Sequence, residues 1–293
     1  MNITKCDLCP RLCAVDRRKT RGFCGAGELV KVARAMLHKW EEPCVSGQNG
    51  AGTVFFSYCN LRCVYCQNYE ISHKDNGKEI SVNRLAEIFS ELQDKDAQTL
   101  DLVTPTHFAP QIKKALLIAK KRGLNIPVVY NTGGYERAEI IKEIAPLVDV
   151  FMPDFKYYSN ELSKKYSSAD NYVEIAKDAI KAMYEAKGKF KIENGIMTKG
   201  VLVRHLVLPG HRKDSMQILK YLYDTFGDNI YLSIMRQYTP TSNAPKELQR
   251  KLTTFEYESV VNYAIDLGFK HAYTQEKTAA TEDFIPVFNG DGV

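Results

Sequence analysis

From Thr53 to Leu267, short apolar runs alternate with stretches in which apolar residues recur every three or four positions. The apolar runs are typical of buried strands, and the longer spacing is typical of one face of a helix. The pattern predicts strands at 53–57, 99–104, 126–131, 148–152, 201–208 and 231–235, each followed by a helix, and Ser81 is a candidate N-cap for the first helix. Near-continuous apolar strands in alternating β–α units favour a parallel sheet flanked by helices, so we predict an α/β fold.

The first fifty residues have no clear helical period and are rich in Cys, Gly, Arg and Lys, with one predicted strand at 30–38. Because such a segment cannot build a large core alone, we divide the chain into a cysteine-rich segment, 1–50, and a main domain, 51–293. Its cysteines follow the spacing C-x2-C-x3-C-x10-C at Cys6, Cys9, Cys13 and Cys24. Four thiolates fit structural zinc or a second iron–sulfur cluster, with free thiols as the alternative. We expect Cys44 to be a small buried apolar residue.

Composition narrows the class of protein. The chain has 44% hydrophobic and 26% charged residues, which is ordinary for a globular protein, and it contains no apolar run of membrane-spanning length. The first residues lack an apolar signal core, so we predict a cytoplasmic protein whose eight cysteines bind metal rather than form disulfides. The net charge of +5 is dispersed among acidic residues, and we expect neither nucleic acid nor a membrane as a partner.

Cys59, Cys63 and Cys66 follow the first predicted strand of the main domain with the spacing C-x3-C-x2-C. Three thiolates leave one corner of a cubane cluster without a cysteine, and an iron with an open position can bind and activate a small molecule. The alternative is a zinc knuckle completed by a histidine such as His73, or an iron–sulfur electron carrier.

This spacing, with Tyr65 directly before the third cysteine and an apolar run at 53–57, resembles the radical S-adenosylmethionine (SAM) superfamily. The resemblance implies a metal-binding oxidoreductase built as a partial (β/α)6 TIM-like barrel, here with a small N-terminal cysteine-rich extension. It also implies a 4Fe-4S cluster whose open iron chelates the amino and carboxylate groups of SAM. Reductive cleavage of SAM then yields a 5′-deoxyadenosyl radical. An aromatic ring such as Tyr65 beside the cluster can pack against adenine.

Catalytic residues of a parallel barrel gather at the carboxyl ends of its strands. Relatives carry a Gly-Gly-Glu-type motif at the second strand end, where this chain has Thr104 and Thr106 as substitute SAM ligands, next to His107. The third strand ends in Asn131, which we include among the cofactor-binding candidates.

The fourth strand ends in Asp154 and Lys156, an Asp-x-Lys pair that resembles the activating-enzyme subgroup, where such residues hold SAM or face the substrate. Arg204 and His205 are adjacent in the fifth strand, so one of them must face inward. We count both, with Lys156, as catalytic candidates. A buried arginine needs an anionic partner, which the SAM carboxylate would provide. Gln237, after the sixth strand, is a weaker candidate for the substrate opening.

Several segments together resemble the PflX-type homologues of pyruvate formate-lyase-activating enzyme: the N-terminal cysteines, 41–47, 59–68, 104–107, 130–132, 153–156, Arg204-His205 and Phe284-Ile285-Pro286. The resemblance implies hydrogen abstraction from a protein or peptide, as in glycyl-radical activation. It also implies a reductase partner such as flavodoxin or ferredoxin. Radical modification of a small molecule is the alternative, and a zinc-binding or electron-transfer protein without SAM chemistry is the alternative of another class.

Overall fold

The computed structural model describes residues 1–276, 279 and 286–293 of the 293-residue chain. Phe284 and Ile285, two of the residues behind the PflX resemblance, lie outside these described residues. The strands are β1 Val30–His38, β2 Ala51–Phe56, β3 Lys78–Ile80, β4 Leu100–Val103, β5 Val128–Thr132, β6 Val150–Pro153, β7 Lys191–Glu193, β8 Ile196–Leu206, β9 Tyr231–Met235 and β10 Ala272–Thr274. The α-helices are α1 Pro43–Ser46, α2 Tyr69–Ser72, α3 Val82–Asp94, α4 Ala109–Lys121, α5 Ala138–Ile144, α6 Asn160–Ser167, α7 Tyr172–Lys187, α8 Arg212–Phe226 and α9 Thr254–Leu267.

One sheet organises the fold, with the strand order β10-β9-β8-β6-β5-β4-β2-β1-β3. The strands from β2 to β10 along this order are parallel, whereas β1 runs antiparallel to both β2 and β3. The short β7 pairs antiparallel with the start of β8. The six strands that the apolar pattern predicts are β2, β4, β5, β6, β8 and β9, so the predicted α/β class is confirmed.

The long helices form where capping and apolar periodicity agree. The Ser81 side chain accepts a hydrogen bond from the Arg84 amide, which confirms the predicted N-cap of α3. Thr253 and Glu256 form a capping box that begins α9. Each helix turns its apolar face to the sheet, as Leu85 and Phe89 of α3 do, both completely buried.

The short helix α1 lies inside the partial barrel, at the amino-terminal ends of the strands. We call this enclosed space the lumen. Cys44 and Val45 are completely buried there and pack with Ala51, Val129, Val150, Met152, Met197 and Leu202. Cys44 is thus the small buried apolar residue that we expected. The residues just before α1 therefore become the floor of the space above it.

The first fifty residues and the chain end both join the sheet. Strand β1 pairs with β2 from Val32 to His38, and its Ala33 carbonyl and Ala35 amide bond with Gly290 and Asp291 respectively, each over 3.0 Å. The division of the chain at residue 50 stays a prediction. In the described part of the chain no helix is both long enough and apolar enough to cross a membrane.

Candidate active site

The cysteine loop follows the carboxyl end of β2. Tyr58 and Arg62 have φ angles of 74° and 53°, left-handed turns that wind the loop tightly around its thiols. Cys63 is buried, whereas Cys59 and Cys66 are half-buried. Burial raises the pKa of the Cys59 thiol to about 12 and also raises that of Cys66. These thiols therefore stay neutral unless a cation compensates the thiolates.

A chain of hydroxyl groups ends on the sulfur of Cys63. The Tyr65 and Tyr157 hydroxyls lie 2.7 Å apart, and Tyr157 is 2.7 Å from the Ser167 hydroxyl. Ser167 Oγ donates to Cys63 Sγ over 2.9 Å. Sequence reasoning found Tyr65 but missed Tyr157 and Ser167, because hydroxyl residues in a helix and its approach carry no spacing signal.

His73 does not reach the cysteines as a ligand. Its Nε2 lies 3.0 Å from the Arg62 carbonyl and its Nδ1 lies 2.8 Å from the Ser72 hydroxyl. Both ring nitrogens are therefore engaged, which disfavours the zinc knuckle closed by His73. Within the residues described here, no three His, Cys, Asp or Glu side chains already stand in a metal-coordinating arrangement.

Arg204 is the centre of a buried ionic network in the lumen. Its Nε donates to Asp154 Oδ1 over 2.9 Å, its Nη1 to Glu41 Oε2 over 2.9 Å and its Nη2 to Asn131 Oδ1 over 2.6 Å. Lys156 Nζ donates to Asp154 Oδ2 over 2.6 Å. The guanidinium of Arg204 thus has anionic partners within the protein, and its contact with a SAM carboxylate stays a prediction.

The carboxyl groups around Arg204 differ in the direction of their pKa shifts. Burial alone would raise the pKa of Asp154, but Arg204 and Lys156 hold it below its usual value. Burial raises the pKa of Glu41, Glu42 and Asp101, and neighbouring carboxylates raise it further. The network therefore fixes Asp154 as an anion and leaves the other carboxyl groups costly to ionise.

A cavity of about 410 Å³ joins the cysteine loop to this network. Its lining includes Cys63, Tyr65, Cys66, Gln67, Asn131, Asp154, Lys156, Arg204, Ser233 and Gln237, with Glu41 and Glu42 on the floor. The structure thus brings together two of the three cysteines and most of the polar strand-end residues that the sequence singled out. Glu41, Glu42, Asp101 and Ser233 were missed. Of these four, only Asp101 could have been found from the sequence, because it is a charged residue between apolar neighbours in β4.

The structure separates His205 from Arg204. His205 points away from the lumen, with Nδ1 2.7 Å from the Phe155 carbonyl and Nε2 2.8 Å from the Ser215 hydroxyl of α8. Burial lowers its pKa to about 4, so the ring is neutral at pH 7. Consecutive strand residues face opposite sides, and Arg204 takes the inner one. The assignment of His205 as a catalytic candidate stays a prediction, which these contacts outside the lumen do not support.

At the second strand end, Val103 lines the cavity. Neither Thr104 nor Thr106 is among the described residues that line it. The Thr106 hydroxyl donates to Glu136, which also accepts from Thr132. The role of Thr104 and Thr106 as SAM ligands stays a prediction. His107 supports the cysteine loop instead, with Nε2 2.7 Å from the Ser57 carbonyl.

The four N-terminal cysteines are folded close to one another. Cys9 and Cys24 are buried, and burial together with the neighbouring thiols raises the pKa of both. Backbone amides of Phe23 and Ala26 approach the sulfurs of Cys13 and Cys24 at 3.4 and 3.5 Å. A side chain at Gly22 would lie 2.8 Å from the Cys13 sulfur, so this position needs glycine. A metal at these cysteines stays a prediction.

The sequence model of the radical SAM superfamily matches residues 53–222, from β2 to α8 and more than half of the chain. The protein belongs to the radical SAM superfamily of enzymes. This radical SAM protein is 30% identical over 277 residues to the uncharacterized protein MJ0674 of Methanocaldococcus jannaschii, covering 90% of this chain and 75% of the relative. It is 23% identical over 296 residues to MJ0808 of the same organism, covering 93% and 81%.

Solved structures agree with this fold. SuiB of Streptococcus suis bound to S-adenosylmethionine superposes with a TM-score of 0.51 at 12% identity, over 76% of this chain and 50% of SuiB. The protein anSMEcpe with bound AdoMet superposes with a TM-score of 0.52 at 12% identity, over 80% of this chain and 62% of anSMEcpe. The chain thus spans half to under two thirds of these neighbours. At this identity the likeness shows the fold, and it confirms the predicted partial barrel of the radical SAM type.

Proposed function

We propose that this radical SAM protein binds a 4Fe-4S cluster through Cys59, Cys63 and Cys66 and binds SAM in the adjoining cavity. The observation that carries the proposal is that a three-thiol loop opens onto the same cavity as the Asp154–Lys156–Arg204 network. Three thiols and no further cysteine in the loop suit a cluster with one open iron. When bound, these groups would supply a 5′-deoxyadenosyl radical for hydrogen abstraction.

The residues of the cavity have distinct roles in this proposal. Lys156 would bind the SAM carboxylate, because it lies near enough to Cys63 for that thiol to help raise its pKa, and Asp154 holds its charge. Arg204 would position Asp154 and Asn131 rather than touch the cofactor, since each of its three nitrogens already donates to a side-chain oxygen of the protein. Tyr65 would pack beside the adenine, and Ser167 would stabilise negative charge on the Cys63 sulfur.

For the substrate we propose a protein or peptide. The resemblance to activating enzymes supports this, and SuiB, whose fold is similar, has been solved bound to its precursor peptide SuiA. Glycyl-radical activation, as in pyruvate formate-lyase-activating enzyme, is the form we favour, with a reductase such as flavodoxin or ferredoxin as electron donor. We also propose a cytoplasmic location, where reduced thiols persist. A second metal at Cys6, Cys9, Cys13 and Cys24 is part of the proposal, as zinc or a second cluster.

The test is anaerobic reconstitution of the wild type and of a triple variant in which Cys59, Cys63 and Cys66 become alanine. We expect the variant to lose the cluster's iron, sulfide and reduced electron paramagnetic resonance signal, together with 5′-deoxyadenosine formation from SAM. The variant Cys44→Ala is the matched control, because Cys44 is buried outside the loop and should leave all four readouts intact. Stoichiometric zinc without iron or deoxyadenosine in the wild type would reject the function.

A second experiment addresses the substrate class. The reduced enzyme and SAM are incubated with anaerobic host extract, and deuterium is traced from labelled protein and small-molecule fractions into deoxyadenosine. A persistent glycyl radical on a protein supports activation. Deuterium arriving only from the small-molecule fraction would instead favour the alternative, radical modification of a small molecule.

A further inference from the structure

The floor of the cavity is formed by two consecutive glutamates, Glu41 and Glu42, directly before α1. Their side chains are only 11% and 8% exposed. Glu41 accepts a hydrogen bond from Arg204, but Glu42 Oε2 has no hydrogen-bond partner among the described residues and lies 3.7 Å from Arg204 Nη1. This ion pair is longer than a hydrogen bond, and a buried carboxylate oxygen without a hydrogen bond is costly, so Glu42 Oε2 can accept a further donor.

The charges around the floor do not balance. Four carboxyl groups, of Glu41, Glu42, Asp101 and Asp154, surround two cations, Arg204 and Lys156. Both cations bond to Asp154, and Arg204 also bonds to Glu41. Asp101 keeps one oxygen, Oδ1, without a hydrogen bond in the described structure.

No neighbouring histidine makes up the difference. His38 also lines the cavity, but burial lowers its pKa to about 4 and leaves it neutral at pH 7. Burial also raises the pKa of Glu42, so an incoming cation would stabilise the ionised carboxylate. The floor therefore has more carboxyl groups than cations, and a further cation would allow Glu42 to ionise, while the Ser233 and Asn131 side chains beside it are neutral hydrogen-bonding groups.

We infer that the cavity floor binds a primary ammonium or guanidinium group of the substrate, with the Glu42 carboxylate as its ion-pair partner. This inference rests on the proposed function and deepens it, because it names the chemical class of the substrate. The cysteine loop lines the same cavity, so a cation anchored at the floor holds the rest of the substrate toward the place where the radical forms. An extended lysine or arginine side chain, or a free alkylamine, has this chemistry.

Binding of defined probes to the anaerobically reconstituted full-length protein tests this inference. Calorimetry compares acetyl-Gly-Lys-Gly-amide with its norleucine analogue, whose neutral side chain has the same four carbon atoms, and n-butylammonium with n-butanol. We expect each cation to bind at least about tenfold more tightly than its neutral partner, as for a buried ion pair. Glu42→Gln should abolish this preference, and Glu193→Gln, an exposed carboxylate paired with Lys191, should keep it.

The outcomes separate the sources of the cation. A preference for the lysyl peptide supports a peptide substrate, and one confined to n-butylammonium supports a free amine. Equal binding of cationic and neutral probes to the wild type overturns the inference without reference to any variant. A Glu42→Gln variant that loses SAM affinity but keeps the lysyl preference also overturns it, since the cation would then be that of SAM. Iron content and SAM cleavage without substrate report separately on the proposed function.

Discussion

Arg204 and His205 are neighbours in β8 with opposite surroundings. The guanidinium of Arg204 makes hydrogen bonds to Asp154, Glu41 and Asn131 in the lumen. The imidazole of His205 lies between β8 and α8, bonded to the Phe155 carbonyl and the Ser215 hydroxyl, and burial keeps it neutral. The two residues therefore differ in function, since only Arg204 can influence a molecule in the cavity.

The neutral state of His205 predicts a dependence of stability on pH. Its folded pKa of about 4 lies below the ordinary value of about 6.5, because burial disfavours the charged ring. Its contribution is complete above the unfolded pKa and is lost as pH falls toward the folded pKa, because only the unfolded chain binds the proton in that window. When the pH is lowered from 7 to 5, the free energy of unfolding should fall in both proteins. We expect the decrease to be about 2 kcal/mol smaller in His205→Asn than in the wild type.

Urea unfolding of the cluster-free protein at both pH values measures this difference. His271→Asn is the matched control, because the His271 side chain is 42% exposed and should leave the pH dependence unchanged. Parallel pH dependence in the wild type and His205→Asn would contradict the assignment of a buried neutral ring.

For single residues, the sequence predicted those that can be recognised from their neighbours in the chain. The cysteine spacing, Asp154 with Lys156, and the alternation at Arg204 and His205 can all be read from neighbouring positions. The alternation could not say which of the two faces inward, because the deciding carboxylate, Glu41, lies 163 residues from Arg204 in the chain. Glu41 and Glu42 in a turn-rich segment look like solvated charges until the fold buries them.

Among the elements, the cysteine loop depends on the N-terminal segment that packs against it. Arg11 Nε donates to the Asn60 carbonyl over 2.9 Å, and Nη2 donates to the Ser167 carbonyl over 3.0 Å. Its Nη1 donates to Ser168, and the guanidinium lies 3.8 Å from the centre of the Phe23 ring. One side chain thus ties the segment both to the loop and to the helix end that bonds Cys63.

We predict that Arg11→Met loosens the cysteine loop. Loss of these hydrogen bonds should cost roughly 1–3 kcal/mol in unfolding free energy and speed amide exchange at residues 59–66. Hydrogen exchange of the cluster-free protein measures the loop directly, and iron retention after reconstitution measures the consequence. Arg18→Met is the control from the same segment, because Arg18 is exposed and pairs with nearby Asp16. Unchanged amide hydrogen exchange in Arg11→Met would show that the cysteine loop does not depend on Arg11 for its stability.

The predictability of elements followed their length. The six strands and long helices of the main domain were predicted, since each spans enough residues for apolar alternation or a helical face to repeat. β3, β7 and β10 have three residues each, and α1 and α2 have four, which is too short for any period. α1 nevertheless matters most among these, because it closes the lumen and carries the glutamates of the floor.

For the whole molecule, the first fifty residues contribute at two separate places. Residues 1–28 lie outside the sheet against the cysteine loop, where Arg11 and Arg17 bond to the carbonyls of Asn60 and His107. Residues 30–46 supply β1, which extends the sheet beyond β2, and α1, which fills the lumen. A division at residue 50 therefore separates strand β1 and helix α1 from the core residues that they pack against.

Two truncations distinguish these contributions. Removal of residues 1–28 should leave a chain that still unfolds cooperatively in urea, at a lower midpoint, because β1 and α1 remain. Removal of residues 1–50 should abolish the cooperative transition, because it exposes apolar lumen residues such as Val150 and Leu202 and leaves Arg204 without Glu41. Circular dichroism and calorimetry follow both truncations. Tryptophan fluorescence cannot, because the only tryptophan, Trp40, is lost in the longer truncation. A cooperative transition in the 51–293 fragment at the wild-type midpoint would instead establish residue 50 as a true domain boundary.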